Sequence, residues 1–142
     1  MNSTPQPTRG ETLLRAEAAL LLYCRAARAN FWTYCLYMDP DFFSRRPFLK
    51  TVADAFQRVA ETYADGGYRR LAVSLPPRAG KSYLTTLLIT WMLGNHPAES
   101  VMRNTCSGTL YDKLSYDTRE IIRGARFQEV FPGVRLRRDS QQ

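Results

Sequence analysis

A parallel α/β fold, with strands and helices alternating through right-handed crossovers, is what this sequence predicts. Three observations predict it. Arg70-Leu71-Ala72-Val73-Ser74-Leu75 has the length and apolar content of a buried strand. The chain then passes through Pro76-Pro77-Arg78-Ala79-Gly80-Lys81-Ser82 into Leu84, Leu87, Leu88, Trp91 and Met92 at helical spacing, closed by Gly94 and Pro97. A weaker strand pattern over 101–106 precedes a further helix, and Val134-Arg135-Leu136 hints at a third strand.

Taken in order, residues 1–9 are polar, carry Pro5 and Pro7, and are expected to be disordered. Residues 10–45 form a helical N-terminal segment. Thr8-x-x-Glu11 is a capping box opening a helix that runs to about Met38, with Leu14, Ala18, Leu21 and Leu22 as its buried stripe. Phe31, Trp32, Tyr34, Tyr37, Phe42 and Phe43 cluster around the break at Asp39-Pro40. Their near-helical spacing, without interleaved basic residues, favours packing over stacking on nucleic-acid bases. Phe48, Val52, Phe56, Val59 and Tyr63 mark a second amphipathic helix, ended by Asp65-Gly66-Gly67. Thr109 is placed to cap a helix carrying Leu110, Leu114, Ile121 and Ile122, with Gly124 at its end and a short helical turn over 125–131.

The loop carries the chemistry. Backbone N–H groups at a helix N-terminus converge on an anion, and the helix dipole favours negative charge there. Gly80 lets the backbone curl around a phosphate, Lys81 reaches β- and γ-phosphates, and the Ser82 hydroxyl suits Mg²⁺. The motif G-x-x-x-x-G-K-[ST] is matched except at its first glycine, where Leu75 stands. A plain strand-to-helix turn would not need Lys and Ser together, nor the stiffness of Pro76-Pro77.

Composition agrees with a globular, basic protein. The chain has 142 residues, 44% of them hydrophobic, and a net charge of +7. Three of its 20 basic residues are Lys and the rest Arg, a balance that suits an anionic partner such as DNA as well as an ordinary solvated surface. Cys24, Cys35 and Cys106 include no closely spaced pair, which argues against a disulfide framework or metal site and for reduced thiols in a cytoplasm. The apolar stretch 18–24 is bracketed by Arg15, Glu17, Arg25 and Arg28, too tightly for a membrane span.

Leu75-Pro76-Pro77-Arg78-Ala79-Gly80-Lys81-Ser82 resembles the variant Walker A motif of phage terminase large subunits, the ATPases of viral DNA packaging. In that family Pro-Pro-Arg-x-Gly-Lys-Ser replaces the glycine-led form. Phe48 through Leu71 is similar to the family's preceding helix, glycine turn and first strand. Ser107 through Ile122 is similar to the helix after its second strand, and Phe131-Pro132-Gly133-Val134 to a turn beyond it. Two departures stand out: Arg46-Pro47 lies where many relatives carry a His, and the second strand is unusually polar.

The resemblance implies a partial P-loop ATPase domain over 46–142 that binds ATP and Mg²⁺. Pro77, Arg78, Ala79, Gly80, Lys81 and Ser82 would hold the nucleotide, Ser82 the Mg²⁺, and Arg78 would sense the γ-phosphate. It implies double-stranded DNA, a terminase small subunit and a portal protein as partners, a homo-oligomer for the full-length protein, and the bacterial host cytoplasm as its place. Hydrolysis also needs a carboxylate on an apolar strand to hold Mg²⁺ and a group to orient water. None of Glu99, Asp112, Asp117, Glu120, Glu129 and Asp139 follows such a strand, so the sequence is expected to stop before Walker B and to bind without turnover. A small P-loop kinase, or a basic DNA- or partner-binding module without hydrolysis, are the competing expectations.

Overall fold

The computed structural model describes residues 8–67 and 70–136, and among them every regular element is a helix. The elements are α1 (Arg9–Ala29), α2 (Phe31–Met38), α3 (Pro40–Ser44), α4 (Leu49–Thr62), α5 (Lys81–Asn95), α6 (Gly108–Arg123) and α7 (Ala125–Val130). The predicted parallel sheet, and with it the α/β P-loop fold class, is overturned.

The strand patterns fail for one physical reason. A strand exists only where a neighbour accepts its ladder hydrogen bonds, and among the described residues no backbone hydrogen bond joins 70–76 to 100–106. Both segments run over the surface, where water satisfies backbone groups that a buried strand would have to pair. Leu71 is 43% exposed and Met102 86%. Leu71 and Val101 instead line one groove of about 400 Å³ with Val59 and Met92. Residues 134–136 are likewise irregular, although Val134 packs on the core. A short apolar run signals burial, and burial alone does not create a ladder.

The helices follow the sequence more closely. Thr8 accepts from the Glu11 N–H while Glu11 accepts from the Thr8 N–H at 2.8 Å, completing the capping box of α1. The long first helix does not reach Met38, however. It breaks at Asn30, whose backbone is extended and whose side chain caps α2 by accepting from the Thr33 N–H at 2.8 Å. Gln57 of α4 spans the break, accepting from the Phe31 N–H at 2.8 Å and donating to the Ala29 carbonyl at 3.0 Å. Asp39 then ends α2 and caps α3, with Pro40 in the first turn where its missing N–H costs nothing. Ser107, not Thr109, caps α6.

The core forms where α2, α3, α4, α5 and α7 meet, and it is largely aromatic. Phe31, Tyr34, Phe43, Leu49, Leu84, Leu87 and Phe127 are fully buried, as the packing interpretation of the aromatic cluster expects. Phe31 lies 5.6 Å from Trp91 between ring centroids, and Phe127 5.2 Å from Phe131. Its polar groups are paired: the Tyr34 and Thr90 hydroxyls meet at 2.9 Å, and Trp91 Nε1 donates to the Ala27 carbonyl at 3.0 Å. Leu14, Ala18, Leu21 and Leu22 of α1, expected in this core, are all exposed; only Cys24 and Ala27 of that helix are buried. The expected disorder of residues 1–9 falls mostly outside the described residues, whose first helix already begins at Arg9. Among the described residues no helix is long and apolar enough to cross a membrane.

Candidate phosphate-binding site

The loop 76–80 delivers the chain into the N-terminus of α5. Ala79 N–H donates to the Pro76 carbonyl at 3.3 Å, closing a tight turn. Two residues of the loop take positive φ, Arg78 at 62° and Gly80 at 102°. A Cβ built on Gly80 would sit 2.7 Å from the Phe42 ring, so glycine is required there both by conformation and by space. No side chain caps α5, and its first backbone bond runs from Leu84 N–H to the Gly80 carbonyl at 2.9 Å. The N–H groups of the first turn therefore face outward without a side-chain acceptor, the arrangement that suits an anion.

The residues expected to hold the nucleotide, 77–82, all lie here. Pro77, Arg78, Lys81 and Ser82 are exposed, while Ala79 and Gly80 are half-buried against the body. Leu75, which stands in place of the first glycine, packs against the core and anchors the loop's entry. Among the described residues the ion pairs lie elsewhere, Lys50 with Asp54 and Arg123 with Glu120. Arg78 and Lys81 thus present unneutralised charge at a helix end that is itself positive.

The structure adds a third cation that sequence spacing did not suggest. Arg103 reaches across from the irregular segment and donates to Thr86 Oγ1 at 2.8 Å and to the Ser82 carbonyl at 3.3 Å. Burial lowers its pKa, and the Asp117 carboxylate opposes that shift. Thr86, itself buried, also donates to the Ser82 carbonyl at 2.9 Å. The carbonyl that follows the motif serine is therefore held from two sides. Polarity in the second strand pattern, Arg103 included, was the one signal that could have pointed to this contact.

Behind the loop, Tyr83 stacks on Phe43 with ring centroids 5.6 Å apart and donates to Asp39 Oδ2 at 3.4 Å. Burial, then the Asp39 carboxylate, raises its pKa to about 12. Arg46 lies 4.0 Å over the Phe42 ring and donates to the Phe42 carbonyl at 3.2 Å, which brings the Arg46-Pro47 departure to the same side of the loop. A groove of about 520 Å³ opens beside Ser82 and is lined by Thr86, Lys113, Leu114, Asp117 and Glu120. Of the acids considered for Mg²⁺, Asp117 and Glu120 line that groove with the motif serine, and Asp112 does not. Farther along, Arg123 of α6 pairs with Glu120, and Arg126 of α7 donates to the Tyr37 and Met38 carbonyls at 3.1 and 2.8 Å.

Comparison with family models, with curated proteins and with solved structures gives no match for this chain.

Proposed function

We propose that the chain binds ATP through residues 77–82, the phosphates resting on the α5 N-terminus, with Lys81 neutralising them and Arg78 lying against the γ-phosphate. The single observation that carries this is an uncapped N-terminus of a 15-residue helix, reached through a loop with positive φ at Arg78 and Gly80 and flanked by Arg78 and Lys81. Positive side chains at a helix N-terminus oppose its dipole, and a bound polyanion turns that opposition into attraction. The residues fit phosphate well. For Mg²⁺ the Ser82 hydroxyl is the motif ligand, which would help neutralise the phosphate charge. The resemblance to terminase large subunits supports a role in ATP-driven packaging of viral DNA, with double-stranded DNA, a small subunit and a portal protein as partners.

ATP titration of the wild type against Lys81→Ala tests this. The substitution should weaken binding by about 1.5–3 kcal/mol, the scale of a charged hydrogen bond, or roughly 10- to 150-fold. Superimposable titration curves would remove the assignment.

A further inference from the structure

The groove beside Ser82 continues from the phosphate loop. Ser82 and Tyr83, in the first turn of α5, lie along it, and α6 supplies the facing wall. That wall repeats at helical spacing: Leu110, Leu114, Asp117 and Ile121 stand three or four residues apart on one face of α6. Leu114 is buried and Ile121 half-buried, which gives the groove an apolar floor. At about 520 Å³ it falls within the ~300–1,000 Å³ usual for small-ligand clefts. A larger groove of about 750 Å³ between residues 100–105 and α6 is lined by none of residues 77–83.

The charges in the groove are unevenly used. Glu120 is taken by Arg123 at 3.1 Å. Asp117 is half-buried, and among the described residues no hydrogen bond or ion pair reaches its carboxylate. A carboxylate in that state lacks donors it would have in water, and a ligand that brings hydroxyl groups restores them. A further anion would be repelled there. The polyanion therefore belongs at the α5 N-terminus, and Asp117 suits a neutral group with O–H donors that is tied to it.

We propose that the groove between α5 and α6 holds the nucleoside of the ATP whose phosphates rest on residues 77–82. The ribose 2′- and 3′-hydroxyls donate to Asp117, and the base lies on Leu110, Leu114 and Ile121. This rests on the phosphate assignment and places the half of the ligand that the assignment leaves open. A ribose diol offers two donors to one carboxylate, and an acid so placed selects a nucleotide by its sugar. Covering the base with the leucines removes apolar surface from water on both partners. Asp117 thus determines specificity and takes no part in the phosphate cradle.

Calorimetric titration of the full chain with ATP, 2′,3′-dideoxy-ATP and inorganic tripolyphosphate, all with Mg²⁺, tests the proposal. The wild type should bind ATP roughly tenfold more tightly than dideoxy-ATP, the scale of one hydrogen bond to a charged acceptor. Asp117→Ala should weaken ATP by that factor and erase the gap to dideoxy-ATP. Tripolyphosphate, relieved of a nearby negative charge, should bind this variant at least as well as the wild type. Helical circular dichroism checks that α6 is intact, and Lys81→Ala should weaken all three ligands. Equal binding of ATP and dideoxy-ATP by the wild type overturns the proposal. So does an equal loss of ATP and tripolyphosphate in Asp117→Ala, which would put that carboxylate at the phosphates or the metal. In both cases the Lys81→Ala result still reports on the phosphate cradle separately. Three ligands indifferent to Lys81→Ala would sink the cradle, and the nucleoside site with it.

Discussion

Arg78, Lys81 and Arg103 gather positive charge at the end of α5 that already carries the positive pole of its dipole, and the free protein gains no stability from that placement. The two roles of Arg103 separate by measurement. It holds the Ser82 carbonyl and Thr86, and it adds charge beside the loop. Arg103→Met should weaken ATP binding by about 0.5–1.5 kcal/mol, the range of one lost hydrogen bond, or roughly 2- to 12-fold by calorimetric titration. Arg103→Lys should recover part of that loss if charge matters, and none of it if only the forked contact does. Gly80→Ala is the sharper change. It forces an L-residue to φ near 102° and drives a methyl into the Phe42 ring. Chemical denaturation should register a loss of about 1–3 kcal/mol. At this scale the sequence was most informative. Gly80, Lys81 and Ser82 announce themselves by chemistry and spacing, whereas Arg103 arrives from a distant segment and only folding brings it to Ser82.

The helices repeat this contrast between local and non-local information. The capping box at Thr8 and Glu11, the Asp39-Pro40 break and the amphipathic α4 are written in neighbouring residues, and each is where its pattern puts it. The break at Asn30 is different, because its exposed backbone groups are satisfied by Gln57 from another helix. The same limit undid the strands: the apolar content of 70–75 is local, but a ladder partner is not. The leucines of α1 stay exposed for a related reason. Its leucines satisfy a helical period, but period alone does not say whether another element lies against them. Gly94 shows how tertiary context can reverse a local preference. In an exposed helix Gly→Ala stabilises by up to about 1 kcal/mol. Here a Cβ would meet the buried Phe131 ring at 2.6 Å. Gly94→Ala should therefore destabilise by roughly 1–3 kcal/mol, seen as a lower thermal midpoint and a changed near-ultraviolet signal from the displaced ring.

For the whole molecule, four acidic groups in and around the aromatic core are held neutral. Burial is the leading cause that pushes up the pKa values of Tyr34, Cys35, Tyr37 and Tyr83, with Glu129 adding to Tyr37 and Asp39 to Tyr83. A group whose folded pKa is raised contributes stability that is whole below its unfolded pKa and is lost as pH climbs toward the folded one. Stability should therefore hold up to about pH 9, near the ordinary value of the Cys35 thiol, and decline steadily above it. Tyr83→Phe should remove the share lost between the ordinary tyrosine value of 10.0 and about 12. Thermal midpoints across alkaline pH check both, and a midpoint that rises above pH 10 would contradict the assignment.

Phosphate release is the second expectation at this scale. The sequence places no acid on an apolar strand where it would hold Mg²⁺ beside the phosphates. Phosphoryl transfer depends on positioned charge around the metal and the attacking water. Release from ATP should stay at background with or without DNA. Steady release abolished by Lys81→Ala would direct attention to Asp117, which lines the groove beside Ser82. If the α5 N-terminus is a phosphate cradle, adding ATP should shift its backbone amide signals. The amides of Ala79, Gly80, Lys81, Ser82 and Tyr83 should move together and saturably, and Lys81→Ala should shift that movement to roughly 10- to 150-fold higher ATP. Saturable shifts confined to other elements, or none anywhere in α5, would contradict it.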